Sequence, residues 1–167
     1  MDHSCYFSKS KVLVPFDFSE FSRNAVEIAC SVASRNEQLT VLHVINPAQL
    51  YGFDDNGGYE IGGGMSIAMS NVEGAQEIEQ ANEQHALDAM RAMFADSKYA
   101  GLRFATMVAD PKRGIVEFAS RNDFELIVIP SHGRTGTKRL LIGSVAEQVT
   151  RMSPCPLLVL RATNERG

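Results

Sequence analysis

Hydrophobic and polar positions change period several times along the chain. Residues 11–16 (KVLVPF) form a short apolar run, which predicts a buried strand. Asp17 and Ser19 follow, each able to cap a helix, and Glu20 stands three residues after Asp17. Phe21, Ala25, Ile28, Ala29 and Val32 then recur at helical spacing, predicting a helix with one apolar face that ends near Arg35. Residues 39–45 (LTVLHVI) predict a second strand. A long helix is expected from Glu73 to about Ser97, with Ile78, Ala86, Ala89, Met90, Met93 and Phe94 on its buried side. Its acidic first half (EGAQEIEQANEQ) reads as a solvated face. Residues 102–108 predict a third strand. Pro111 opens the next helix, with Ile115, Phe118 and Ala119 on its core side. Residues 126–129 (LIVI) are apolar throughout, as in a strand buried on both faces. A helix from about 144 to 152 buries Val145, Val149 and Met152, and residues 157–160 (LLVL) form a fifth strand after the turn at Pro154, Cys155 and Pro156.

Strands alternate with helices, so the expected fold is α/β, a doubly wound five-stranded parallel sheet in the order 3-2-1-4-5. At 167 residues the chain suits a single domain, with a core of about 10–162. The stretch 46–70 carries Gly52, Gly57, Gly58, Gly62, Gly63 and Gly64, and reads as a mobile loop rather than an ordered lid.

Composition narrows the function. Net charge is −4, with 16 basic against 20 acidic residues, so the basic excess of a nucleic-acid binder is missing and no nucleic-acid partner is expected. Cys5, Cys30 and Cys155 are odd in number and widely spaced, which argues against a disulfide framework. The N-terminus MDHSCYFSKSK lacks the apolar run of a signal peptide, and no stretch approaches the roughly 20 apolar residues of a membrane span. A cytoplasmic protein without a membrane partner is expected.

In open α/β sheets a ligand binds beyond the carboxyl ends of the strands, where strand order reverses. Here that place lies between strands one and four. Strand one ends in Pro15, Phe16 and Asp17, and strand four in Pro130, Ser131, His132 and Gly133. Gly143 and Ser144 begin the following helix, whose N-terminus suits an anion, and Arg134, Lys138 and Arg139 add positive charge between them. Taken alone, Gly143 and Ser144 read as a glycine turn and a serine cap. Combined with Gly133 and the basic residues, they point to a phosphate site. No GxxxxGK[ST] and no GxGxxG occurs, so neither a P-loop nor a dinucleotide fingerprint is present.

Three blocks in order, VLVPFDFSEFSRNAVEIA, LTVLHVINP and IPSHGRTGTKRLLIGSVAEQVTRMSPCPLLVLR, resemble the universal stress protein family of the UspA type. The resemblance implies an adenine nucleotide alpha hydrolase-like fold, a homodimer formed through residues 157–160, and ATP or AMP as ligand in members with a G-x2-G-x9-G-[ST] loop. It implies that Asp17 and the backbone of Val44 contact adenine. Pro15 and Phe16 would line that pocket, Ile129 and Pro130 approach the ribose, and Gly133, Gly143, Ser144 and Val145 hold the phosphates. His132 and Arg134 belong to the same loop. Proline stands at 130 where the motif has glycine, so an N–H contact from that position is lost. Ala109 stands where glycine is common, and its methyl group is expected to narrow the crevice.

Three functions follow. The first is an ATP- or AMP-binding regulatory protein in the stress response, with little or no hydrolysis and Mg2+ only if the nucleotide carries it. The second is a family member that has lost the nucleotide and acts through protein contacts, for which Pro130 is the argument. The third is a hydrolase using Ser131, His132 and Asp17; it needs a shared hydrogen bond between nucleophile and base, which adjacency in sequence does not supply. His132 is read as fixing the loop rather than as catalytic. His3, His43, His85 and His132 show no ligand spacing, so no protein-held metal is expected.

Overall fold

The computed structural model describes residues 11–50, 72–133 and 142–161, apart from the side chains of Gln49, Val72 and Glu73. In chain order they form β1 (Val12–Pro15), α1 (Glu20–Val32), β2 (Leu39–Ile45), α2 (Val72–Met93), β3 (Arg103–Val108), α3 (Pro111–Arg121), β4 (Leu126–Pro130), α4 (Ser144–Met152) and β5 (Leu157–Leu160). The strands make one parallel sheet in the order β3-β2-β1-β4-β5, as the alternating pattern predicted.

Successive residues of β1 feed opposite faces of the sheet, because the strand period is two. Val12, Val14 and Phe16 join Ala25, Val26 and Ala29 of α1 and Met90 of α2 in one core. Leu13 joins Leu42, Ile115 and Ala119 of α3, Ile127, Ile129, and Ala146 and Val149 of α4 in the other. Burial on both faces explains why β4 reads as an unbroken apolar run.

Several element ends differ from the sequence expectation. Of the two caps expected, Asp17 and Ser19, it is Ser19 that caps α1, accepting from the Ser22 amide. Helix α1 stops at Val32 because Ala33 turns to extended backbone. Phe21 and Val32, expected in the core, are 40% and 38% exposed. A 13-residue helix spans about 20 Å and a four-residue strand about 13 Å, so the end turns of α1 overhang the strand beneath. Met152, at the end of α4, is exposed too. Helix α2 ends at Met93, and Ser97–Tyr99 forms a separate 3-10 turn capped by Asp96. Pro47–Leu50 is a helical turn rather than open loop, and residues 51–70 of the glycine-rich stretch lie outside the described residues. Ala109 does not face the crevice. Its methyl group packs beside Gly114 of α3, where an added Cβ would come 3.0 Å from both Ala109 Cβ and Val44 Cγ1.

Two prolines end the hydrogen-bonded ladder between β1 and β4. In a parallel ladder, a residue's N–H and C=O face the same neighbour, and alternate residues face opposite neighbours. Phe16 N donates to Leu42 O at 2.8 Å, so Leu13 and Pro15 face β4. On β4, Leu126 N reaches Lys11 O at 3.3 Å while Ile127 N donates to Pro156 O at 3.0 Å, so Leu126, Val128 and Pro130 face β1. The β1–β4 register runs through Val12↔Leu126 and Leu13↔Ile127 and stops. The next two donors across this seam would be Pro15 N and Pro130 N, and neither carries a proton.

Gly114→Ala should lower stability by about 1 kcal/mol or more in a urea melt, because overpacking against Ala109 and Val44 outweighs the gain in helix propensity. An unchanged midpoint would mean that α3 can slide off the sheet at no cost.

Candidate functional site

At the carboxyl ends of β1 and β4 lies a cavity of about 220 Å³. Its floor and walls include Pro15, Phe16, Asp17, Val44, Ile129, Pro130, His132, Gly133, Gly143, Ser144 and Val145. The residues that the sequence grouped from four separate segments thus surround one space. Arg134, Lys138 and Arg139 lie outside the described residues. The structure adds Leu42, His43, Asn46, Pro111, Ile115 and Ala146, which sequence reasoning missed. Pro111 at the start of α3 was the available signal, since that helix also begins at the carboxyl end of a strand.

The Asp17 turn is held on every side. Asp17 Oδ1 accepts from Ser19 N at 3.0 Å and from Ser19 Oγ at 2.5 Å. Ser22 Oγ accepts from Asp17 N at 3.3 Å and donates to Ser19 O at 3.0 Å. Between them Phe18 takes φ 65°, a left-handed backbone that a bulky side chain adopts at a cost of order 1–3 kcal/mol. Edge-to-face contacts to Phe16 at 5.0 Å and His43 at 4.8 Å hold its ring. His43 is buried, and its Nδ1 lies 2.7 Å from the Phe16 carbonyl. A carbonyl only accepts, so Nδ1 carries the proton. The histidine inside an apolar strand is therefore a buried donor that secures the residue before Asp17.

The opposite wall is stitched by Ser131. Its N–H donates to Leu160 O at 2.7 Å, and its carbonyl accepts from Gly143 N at 2.6 Å, which ties the start of α4 to the end of β4. Gly143, not Ser144, is the N-cap, and no side chain among the described residues caps the helix. The alternative of a capping serine is therefore not the one found, and Ser144, Val145 and Ala146 at the start of α4 line the cavity. Both glycines serve close approach. A Cβ on Gly143 would stand 3.1 Å from Ser131 O, and one on Gly133 would overlap the Asp17 carboxylate.

Ser131 Oγ and His132 Nδ1 do share a hydrogen bond, at 3.0 Å, which adjacency alone did not promise. Ser131 is only 2% exposed and both its backbone groups are engaged. The bond fixes the loop rather than presenting a nucleophile. Among the described residues no group of three or more His, Cys, Asp or Glu is placed to hold a metal. Cys30 and Cys155 are free and lie away from the cavity; burial is the largest influence raising each thiol above its ordinary range, so they stay protonated at neutral pH. Cys5 and His3 fall outside the described residues. No helix among the described residues is long and apolar enough to cross a membrane.

Ser19→Ala should cost about 1 kcal/mol in denaturant unfolding, because it removes both the α1 cap and an anchor of Asp17. A loss under about 0.3 kcal/mol would mean that the capping bond adds little in this setting.

Comparison with known proteins returns one consistent family. A family model described as the universal stress protein family matches residues 9–161. Universal stress protein MJ0531 of Methanocaldococcus jannaschii is 28% identical over 154 residues, covering 90% of this chain and 81% of that protein. The solved structure of MJ0577, from the same organism, has a TM-score of 0.70 at 24% identity, over 93% of this chain and 98% of that one. A universal stress protein family protein from Arabidopsis thaliana, solved with AMP bound, has a TM-score of 0.53 at 16% identity, over 93% and 94% of the two chains.

Proposed function

The chain belongs to the universal stress protein family, and from that premise we propose that its crevice binds an adenine nucleotide, ATP or AMP, as a regulatory module with little or no hydrolysis. The observation that carries this reading is the N-terminus of α4, capped by no side chain among the described residues, on the same cavity as Asp17 and Val44. The amides and dipole of a helix N-terminus favour phosphate at one end. A carboxylate and a strand-end backbone at the other end suit the edge of a base. The cavity of about 220 Å³ is smaller than the usual small-molecule pocket, so base and sugar would fill it while phosphates extend along α4. The AMP held by the Arabidopsis relative supports the ligand class. Asp17 Oδ1 accepts from Ser19 and His132 Nδ1 meets Ser131 Oγ, so both side chains help to hold their own loops, in line with little or no hydrolysis. Mg2+ would enter only with the nucleotide's phosphates.

Mass spectrometry of ligand released from purified protein, with thermal shift on added ATP, tests the proposal. Recovery of ATP or AMP, or a clear rise in melting temperature, is expected. No nucleotide and no shift would favour the second reading, a family member acting through protein contacts alone. Gly143→Val should reduce ATP affinity at least about tenfold while leaving the fold intact, since its branched side chain would crowd Ser131 O and the α4 amides. Retained affinity would remove the phosphate grip.

Self-association is proposed through β5. This strand ends the described sheet, and Leu158 on it is 37% exposed. An apolar edge invites pairing with a second copy. Leu158→Lys should shift the mass by light scattering from dimer towards monomer, and an unchanged mass would place the interface elsewhere.

A further inference from the structure

A second cavity, of about 380 Å³, lies at the amino ends of the strands, at the opposite end of the sheet from the crevice. Helix α3 leaves β3 and crosses to β4, and the cavity lies where its last turn meets the starts of β2 and β3. Thr40 and Arg103 are register partners there. By the strand period they share the sheet face of Leu42 and Ala105, the face on which α3 packs. Phe118 and Phe124, stacked with centroids 5.8 Å apart, make an apolar wall.

Five charged side chains line this cavity. Arg121 is paired with Glu117. The other four, Lys11, Arg103, Glu37 and Asp123, form no salt bridge among the described residues. They come from four separate segments: the residue before β1, the start of β3, the turn before β2 and the turn after α3. Two positive and two negative groups thus surround one space without pairing across it. Lys11 Nζ donates to Asn122 O at 3.3 Å. The Glu37 carboxyl rests against Gly101, where an added Cβ would come 3.0 Å from its Cδ. Asp123 stands on left-handed backbone, with φ 53°. The carboxyl end of α3 adds partial negative charge.

We propose that this cavity binds a free α-amino acid as its zwitterion, with Arg103 and Lys11 taking the carboxylate, Glu37 and Asp123 the ammonium, and Phe118 the side chain. A guanidinium offers a carboxylate paired donors. A ligand of one charge would leave the opposite pair unanswered, whereas an amino acid carries both charges on one centre. The site is separate from the nucleotide crevice, since no residue lines both cavities.

NMR titration of isotope-labelled protein with L-leucine, L-leucinamide and isocaproate tests the assignment. Leucinamide lacks the carboxylate, and isocaproate lacks the ammonium. Leucine should give saturable shifts at the amides of Thr40, Arg103 and Asp123, and each analogue should bind about tenfold more weakly. R103Q should weaken leucine and isocaproate and leave leucinamide unchanged. D123N, whose side chain tolerates left-handed backbone, should weaken leucine and leucinamide and leave isocaproate unchanged. No saturable shift at this cavity in the folded wild type, an analogue that binds as well as leucine, or variants that do not separate the two analogues would overturn the proposal.

Discussion

The hydrogen-bonded ladder between β1 and β4 runs out where both strands reach the crevice. Pro15 and Pro130 stand at the ends of these strands, and neither can donate a backbone hydrogen bond. The paired register ends at Leu13 and Ile127. The cavity lies just beyond that end and is lined by both prolines. A proline in a central strand ordinarily costs a ladder bond.

The walls of the cavity are then fixed by polar contacts that reach across elements. His43 on β2 donates to the end of β1, and Ser131 joins β4, β5 and the start of α4. The left-handed Phe18 is the strained point of this arrangement, and its cost of order 1–3 kcal/mol is of the same size as the two aromatic contacts that oppose it, at about 0.5–1.5 kcal/mol each. Next to it, the Asp17 carboxylate is held by Ser19 and lies beside Gly133.

Much of the architecture was legible in the sequence. Alternating periods gave five strands, their parallel arrangement and the crevice between the first and fourth, because burial and crossover geometry leave few alternatives. Ends of elements were less legible. Whether Asp17 or Ser19 caps α1 depends on which side chain reaches the Ser22 amide, and both residue types are good caps. Phe21, Val32 and Met152 match the apolar period, yet periodicity does not say how far the neighbouring strand extends. The LLVL of β5 is as apolar as the LIVI of β4 but is half exposed at the edge of the sheet, a distinction that lies in the neighbours and not in the residues.

By itself, then, the sequence determined the elements, the family and the segments that meet at the crevice, because these follow from local period and residue type. Tertiary structure decided what Pro130 means. In the sequence it is a departure from a glycine motif and a lost N–H. In the folded sheet it ends β4 on the side that faces β1 and lines the same cavity as Pro15. The direction of a backbone group is set by which strand lies beside it, and strand pairing arises only when distant segments come together.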